Sequence, residues 1–255
     1  MRQGTYGTWM FARREMARYW NVWGQTVVPP VVMAALFLFV FGHALGDRIG
    51  RFDGVSYLAF IAPGLVAQGA IQNAYNNNAS SLFDSRRARY IEDVLTSPLK
   101  DWQIVAGYVL SGTSRGAVIG LLTLAIAWPV TSGWQVDPLL LVVVLLGASV
   151  AFSLLGLVAG LHASRWDHIF VPMTFILTPL TFLGGVFYPV TELPADLEAL
   201  SRLNPILYIV DSLRAATLGV HDVPVLPSVL GILALDLVLF ALVLRLFGTS
   251  RRLRG

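Results

Sequence analysis

The segment Arg86–Trp102 reads RRARYIEDVLTSPLKDW and is the densest cluster of charge in the chain, set between two long apolar runs. Read as a helix, it places Arg87, Ile91, Val94 and Leu95 on one side and Arg86, Arg89, Asp93 and Thr96 on the other. Pro98 stops that helix, because it has no N–H and pushes Ser97 out of the α region. Asp101 then stands where a carboxylate would cap the helix that follows. The pattern predicts a discrete, mixed-charge helix over 86–97, tied closely to an apolar segment on each side. A mere connection could be about four polar residues.

The apolar runs set the class. Hydrophobic residues make up 56% of the 255 and charged residues 13%, about half the charged share of a soluble domain. The runs match the ~20 residues that a bilayer-crossing helix needs. They predict an all-α polytopic membrane protein with spans at 27–45, 55–74, 104–130, 139–161, 168–188 and 227–247. The residues before the first run do not read as a signal peptide: Arg13, Arg14, Glu15 and Arg18 precede it and no small-residue cleavage site follows. The eighteen Lys and Arg residues lie mainly at the ends of these runs, a topology signal and not a nucleic-acid surface. The arginine-rich side, expected to be cytoplasmic, holds Arg2, Arg13, Arg14, Arg18, Arg86, Arg87, Arg89, Arg165, Arg251, Arg252 and Arg254. Six spans would place both termini there. There are no cysteines, which excludes disulfides and thiolate chemistry.

Orientation sharpens the question about the 86–97 segment. Arginines alone would suit a positive-inside loop, whereas Glu92 and Asp93 do nothing for topology and the apolar side needs something to pack on. The second reading, a helix that docks a cytoplasmic partner, explains more of the residues. It expects Ile91, Val94 and Leu95 at the surface until a partner covers them. Upstream, over 5–25, Trp9, Ala12, Met16, Tyr19, Trp20 and Trp23 recur at helical steps, with Arg14, Arg18, Asn21 and Gln25 opposite. That is the pattern of an amphipathic helix in the headgroup layer, either a plain anchor or one that also braces a partner.

Polar groups at membrane depth carry the remaining information. Gln68, Gln72 and Asn76 form an i, i+4, i+8 stripe, accompanied by Asn73, Asn77 and Asn78. Amides in hydrocarbon are costly unless paired, so the stripe must face protein or water. Thr174, Thr178 and Thr181 share one face of the fifth span, though threonines also bond their own helix. Arg115 and Asp236 are the deep charges, readable as a proton relay or as structural ties. Pro63, Pro172 and Pro179 should bend the second and fifth spans. The four histidines have no metal-ligand spacing, so no metal site is expected. Trp166, Asp167 and His168 cluster at a turn on the arginine-rich side, either a second partner contact or simply a helix start.

Four stretches then resemble one family. YIEDVLTSPLKDWQIVAGYV (Tyr90 to Val109) is similar to the coupling helix and third span of ABC-2 type transporter permeases. GGVFYPVTELPADLEALSRLNPILYIVDSLRAATLG (Gly184 to Gly219) resembles the end of span five and the external helices after it. VWGQTVVPPVV (Val22 to Val32) and SYLAFIAPGLV (Ser56 to Val66) resemble the family in the same order. The resemblance implies a type V exporter-like fold, with a re-entrant or helical hairpin within an extracytoplasmic segment at 189–224. It implies docking of a separate ABC ATPase, two copies per complex, on Arg86, Arg89, Ile91, Glu92, Asp93, Val94 and Leu95, with Trp166, Asp167 and His168 as a second contact. It implies a pathway lined by spans two and five, where Gln68, Gln72, Asn73, Asn76, Thr174, Thr178 and Thr181 lie, and a second copy of the chain or a homologous permease. The only lysine, Lys100, is followed by Asp101 and lacks the glycine-rich turn of a P-loop. The chain is therefore expected to hold no cofactor and not to be an enzyme, with ATP and Mg2+ bound by the partner in a bacterial inner membrane. Nucleic acid is not an expected partner; membrane lipid is. The rival is a proton-coupled secondary transporter using Arg115 and Asp236, which internal inverted repeats would mark.

Overall fold

The computed structural model describes residues 2–49, 51–52 and 54–252, with side chains over 6–42, 52, 54–94 and 96–249. Its axis is helix α4 (Tyr57–Arg87), whose 31 residues extend about 46 Å at the helical rise. The principal neighbours of α4 are α6 (Asp101–Ala127) and α7 (Pro138–His162). Both approach through glycines four residues apart, Gly112 and Gly116 on α6 and Gly156 and Gly160 on α7. A Cβ at Gly116 would lie 2.8 Å from the Ala70 carbonyl oxygen, and one at Gly160 would lie 2.9 Å from that of Ala79. At Gly156 it would overlap the Tyr75 carbonyl outright. Between these close approaches, Asn77 Nδ2 donates to Ser111 Oγ (3.0 Å) and Asn78 Nδ2 to the Ser153 carbonyl (3.3 Å). Small residues and interhelical amides are what holds helices together where lipid removes the hydrophobic drive.

Helix α1 (Arg2–Trp20) lies against α6 and continues through α2 (Trp23–Thr26) into α3 (Val28–Ile49). Its inner face is Phe11, Ala12, Glu15 and Tyr19, while Trp9, Trp20 and Trp23, expected to share a face with Ala12 and Tyr19, stay exposed. Arg18, expected on the polar face, turns inward and donates to the Asn77 carbonyl at 2.9 Å. A two-stranded ribbon, β1 (Arg51–Phe52) with β2 (Val55–Ser56), joins α3 to α4.

The segment expected as one helix over 86–97 divides in two. Helix α4 runs on to Arg87 because Arg86 Nη1 donates to the carbonyls of Gly160, Leu161 and Ala163 at the end of α7. Arg89 then takes a left-handed φ of 62°, and α5 spans Ile91–Thr96. The expected Asp101 cap also shifts. Lys100 is the N-cap, its N–H donating to Gln103 Oε1 at 2.9 Å, and Asp101 opens the first turn.

The fifth expected span, 168–188, is interrupted and ends early. It comprises α8 (Asp167–Pro172), a π-helical turn at Met173–Leu177 and α9 (Thr178–Leu183). Pro172 and Pro179 withhold backbone donors on either side of the π turn. The chain then turns through Gly184 and Gly185, the latter at φ 75°. Helices α10 (Ala195–Arg202) and α11 (Pro205–Leu218) follow, and α12 (Val225–Arg252) is the last described helix. Among the described residues, four helices are long and apolar enough to cross a membrane: Trp23–Gly42, Asp101–Val130, Pro138–His162 and Val225–Thr249. Helix α4 misses that class through its amides, and Asp167–Leu183 through its length.

Helix α11 is pinned by a buried charge cluster. Arg214, 2% exposed, pairs with Asp211 at 3.4 Å and donates to the Gly185 carbonyl at 2.8 Å. Its guanidinium carbon lies 3.8 Å from the centre of the Phe60 ring. Asp211 accepts the backbone N–H groups of Asp222 and Val223, both at 2.9 Å. Breaking a buried pair by removing one partner costs about 3–5 kcal/mol, because the other charge is stranded. Arg214→Met is therefore expected to lower the thermal midpoint of the purified chain by several degrees. Arg202→Ala, which removes the exposed pair with Glu198, should leave the midpoint unchanged. Thermal unfolding in detergent, followed by intrinsic tryptophan fluorescence, checks both.

Candidate partner-docking surface and membrane groove

Helix α5 is seated by its apolar residues. Ile91 is 4% and Val94 5% exposed, both in the core cluster that includes Leu82 and Phe83. This corrects the expectation that they wait at the surface for a partner: the bundle itself covers them. The Leu95 side chain lies outside the described residues. What α5 presents outward is Glu92, Asp93 and Thr96, with Arg89 exposed in the turn before it. The two acids sit in the first turn, where a helix favours negative charge. Arg86, expected to dock, is instead held by the end of α7.

The second expected contact lies at the same end of the bundle. Trp166 meets Phe83 edge-on, ring centres 4.9 Å apart, and stacks on Phe170 at 5.9 Å. Asp167 and His168 are exposed, and His168 Nδ1 accepts the Ser164 backbone N–H at 3.4 Å. A cavity of about 540 Å³ is bounded by Arg86 and Arg87 on one side and Arg165, Trp166 and Asp167 on the other. Thus the end of α4 and the α7–α8 turn, far apart in sequence, form one groove.

A second groove runs along the middle of α4. Gln68, Gln72, Asn73 and Asn76 line one wall of a cavity of about 280 Å³, with Met33 and Phe37 of α3 and Met173 of the π turn facing them. The threonines stand apart from it. Thr174 is exposed, while Thr178 and Thr181 donate to the Met173 and Leu177 carbonyls (3.0 and 2.6 Å). Thr181 is fully buried, so its hydroxyl serves its own helix.

The two deep charges do not pair. Arg115 Nη2 donates to Asn73 Oδ1 and to the Thr26 carbonyl, both at 3.2 Å. Thr26 needs that donor because Pro30, four residues on, has no N–H to offer. The Asp236 carboxylate is half-buried beside Gly147 of α7, and its Oδ1 has no hydrogen-bond partner. No group of metal-binding side chains occurs among the described residues. Glu15 escaped the sequence reading. It is buried, accepts the Ser81 hydroxyl and pairs with Arg14 (3.2 Å) and Arg18 (3.7 Å). Its spacing from Phe11, Ala12 and Tyr19 was the available signal.

Known proteins resemble the chain along most of its length. The family model for ABC-2 type transporters matches residues 6–218. The inner membrane transport permease YadH of Escherichia coli K12 is 43% identical over 235 residues, 90% of each chain. Nodulation protein J of Sinorhizobium fredii is 32% identical over 186 residues, 71% of this chain and 70% of its own. Nodulation protein J of Neorhizobium galegae is 30% identical over 210 residues, 80% and 78% of the two chains. With the apolar helices and the short seated helix already described, these matches make the chain a membrane permease of the ABC-2 type transporter family.

Proposed function

We propose that the chain is the membrane-spanning subunit of an exporter driven by a separate ABC ATPase. It moves an amphipathic substrate out of the cytoplasm or the inner leaflet. In this reading α3, α4, α6, α7, the α8–α9 segment and α12 are the six spans, both termini are cytoplasmic, and α10–α11 face outward. The single observation that carries the proposal is the construction of α5. Its Ile91 and Val94 are buried in the bundle and its acids point away from it. That gives a partner something charged to grip and couples the grip to α4. Two chains, identical or homologous, would complete the pathway, with ATP and Mg2+ held by the ATPase. Family membership supports this, as does the groove along the other side of α4. Proton-coupled transport through Arg115 and Asp236 has less support, because those groups make no contact with each other.

Charge reversal at Glu92 and Asp93 is expected to reduce recovery of the ATPase by about tenfold or more, since contacts to charged interface groups carry that much affinity. Co-purification at equal membrane expression reads the effect, and unchanged recovery would return α5 to a plain connecting turn. Ile91→Asp should behave differently, lowering the amount of folded permease, because it buries a charge in the core.

Topology supplies an independent check. The chain has no cysteine, so single cysteines at Arg89 and Glu198 can be labelled without background by a membrane-impermeant thiol reagent. Intact cells should label the second and not the first; the opposite result would remove the cytoplasmic docking surface.

A further inference from the structure

Arg115 is a half-buried cation without an anionic partner among the described residues. Its Nε has no hydrogen-bond partner, and none of the ion pairs among the described residues includes it. Glu15, the acid buried on α1, is already engaged by Arg14, Arg18 and Ser81. Uncompensated charge at membrane depth is costly and tends to be retained for a task. The tie to Thr26 explains one of its N–H groups and leaves the charge itself unbalanced.

Asn73 connects that charge to the α4 groove. Its Oδ1 accepts from Arg115, its Nδ2 donates to the Gly69 carbonyl at 2.9 Å, and it lines the cavity. Gln68, Gln72 and Asn76 share that wall, and among the described residues no charged side chain lines the groove. Each of these amides can turn N–H donors towards a ligand. Asn76 holds its Oδ1 buried with no partner, so its amide group is not fully committed within the chain. The facing wall, with Met33 and Phe37, offers only apolar surface. Amide groups backed by the Arg115 cation on one side, with apolar surface on the other, complement one kind of molecule. A cationic head group would be repelled, and an uncharged one would leave Arg115 as it stands.

We propose that the α3–α4 groove binds a single-chain amphiphile with an oxyanion head group, a phosphate or a carboxylate. The head lies on the amide wall, where Arg115 balances its charge through Asn73, and the chain lies along Met33 and Phe37. This rests on the reading of the groove as part of the export pathway and specifies what the groove selects.

The full-length chain in phosphatidylcholine nanodiscs can be labelled with photoreactive dodecyl phosphate, dodecanoate or dodecyl maltoside and mapped by peptide mass spectrometry. The two acids should label peptides covering Pro30–Phe37 and Leu65–Asn76 about tenfold more than the maltoside, the scale set by hydrogen bonds to charged groups. Arg115→Gln should abolish that preference. Gln72→Glu, which adds a negative charge to the wall and leaves the Arg115 bonds in place, should abolish it too, and it decides the matter if the first variant does not fold. Excess inorganic phosphate should not compete, since it has no chain for the α3 wall; loss of labelling would reduce the site to a simple anion site and overturn the amphiphile. Equal or stronger labelling by the maltoside, or a preference that survives Gln72→Glu, would overturn the oxyanion head group while leaving the pathway intact. Absence of groove labelling by every probe would remove the pathway reading as well.

Discussion

Everything in this bundle depends on how closely α6 and α7 can lie on the backbone of α4. In lipid, burying leucine against leucine gains little, so packing contacts and hydrogen bonds must hold the helices together. The paired glycines at 112/116 and 156/160 remove the side chains that would hold the axes apart. Once the backbones meet, Asn77 and Asn78 can reach Ser111 and Ser153 across the interfaces. The same contacts settle which side of α4 is left open. With α6 and α7 on two flanks, Gln68, Gln72 and Asn76 fall on the flank that only α3 and the π turn partly cover.

Three arginines share a second task, supplying donors to backbone carbonyls that helix geometry has orphaned. Arg86 serves the last carbonyls of α7, which have no residue ahead of them to bond. Arg115 serves Thr26, deprived by Pro30. Arg214 serves Gly185 in the turn after α9. Each joins two elements distant in sequence, and each is a guanidinium because one planar group can serve several acceptors at once. Arg115 differs from the other two in having the least to offset its charge. Arg214 has Asp211, and Arg86 lies at the bundle end beside an open groove.

The short helix α5 is tied to α4 as well. A helix of six residues has little stability of its own. Its conformation is therefore borrowed from the core around α4 through Ile91 and Val94. At the opposite end, the Asp211–Arg214 cluster fastens α11 to Phe60 near the start of the same helix and to the turn after α9. One helix thus carries α5 at one end, the groove in its middle and the contact with α11 at the other.

The membrane class, the positions of the apolar runs, the separate short helix near Ile91 and the family were all legible in the sequence, because each is written in local composition or in contiguous motifs. Tertiary structure alone decided which polar groups are structural. Asn77 and Asn76 are adjacent amides of the same helix, yet one ties α4 to α6 and the other faces the groove. Folding alone buried Arg214 and Asp211 together, and Ile91 and Val94 read as a surface until the bundle covered them. The reason is physical: periodicity shows that a helix has two faces, but what each face meets depends on which helices can approach it. Here that was determined by glycine pairs on α6 and α7, residues that carry no side-chain signal of their own.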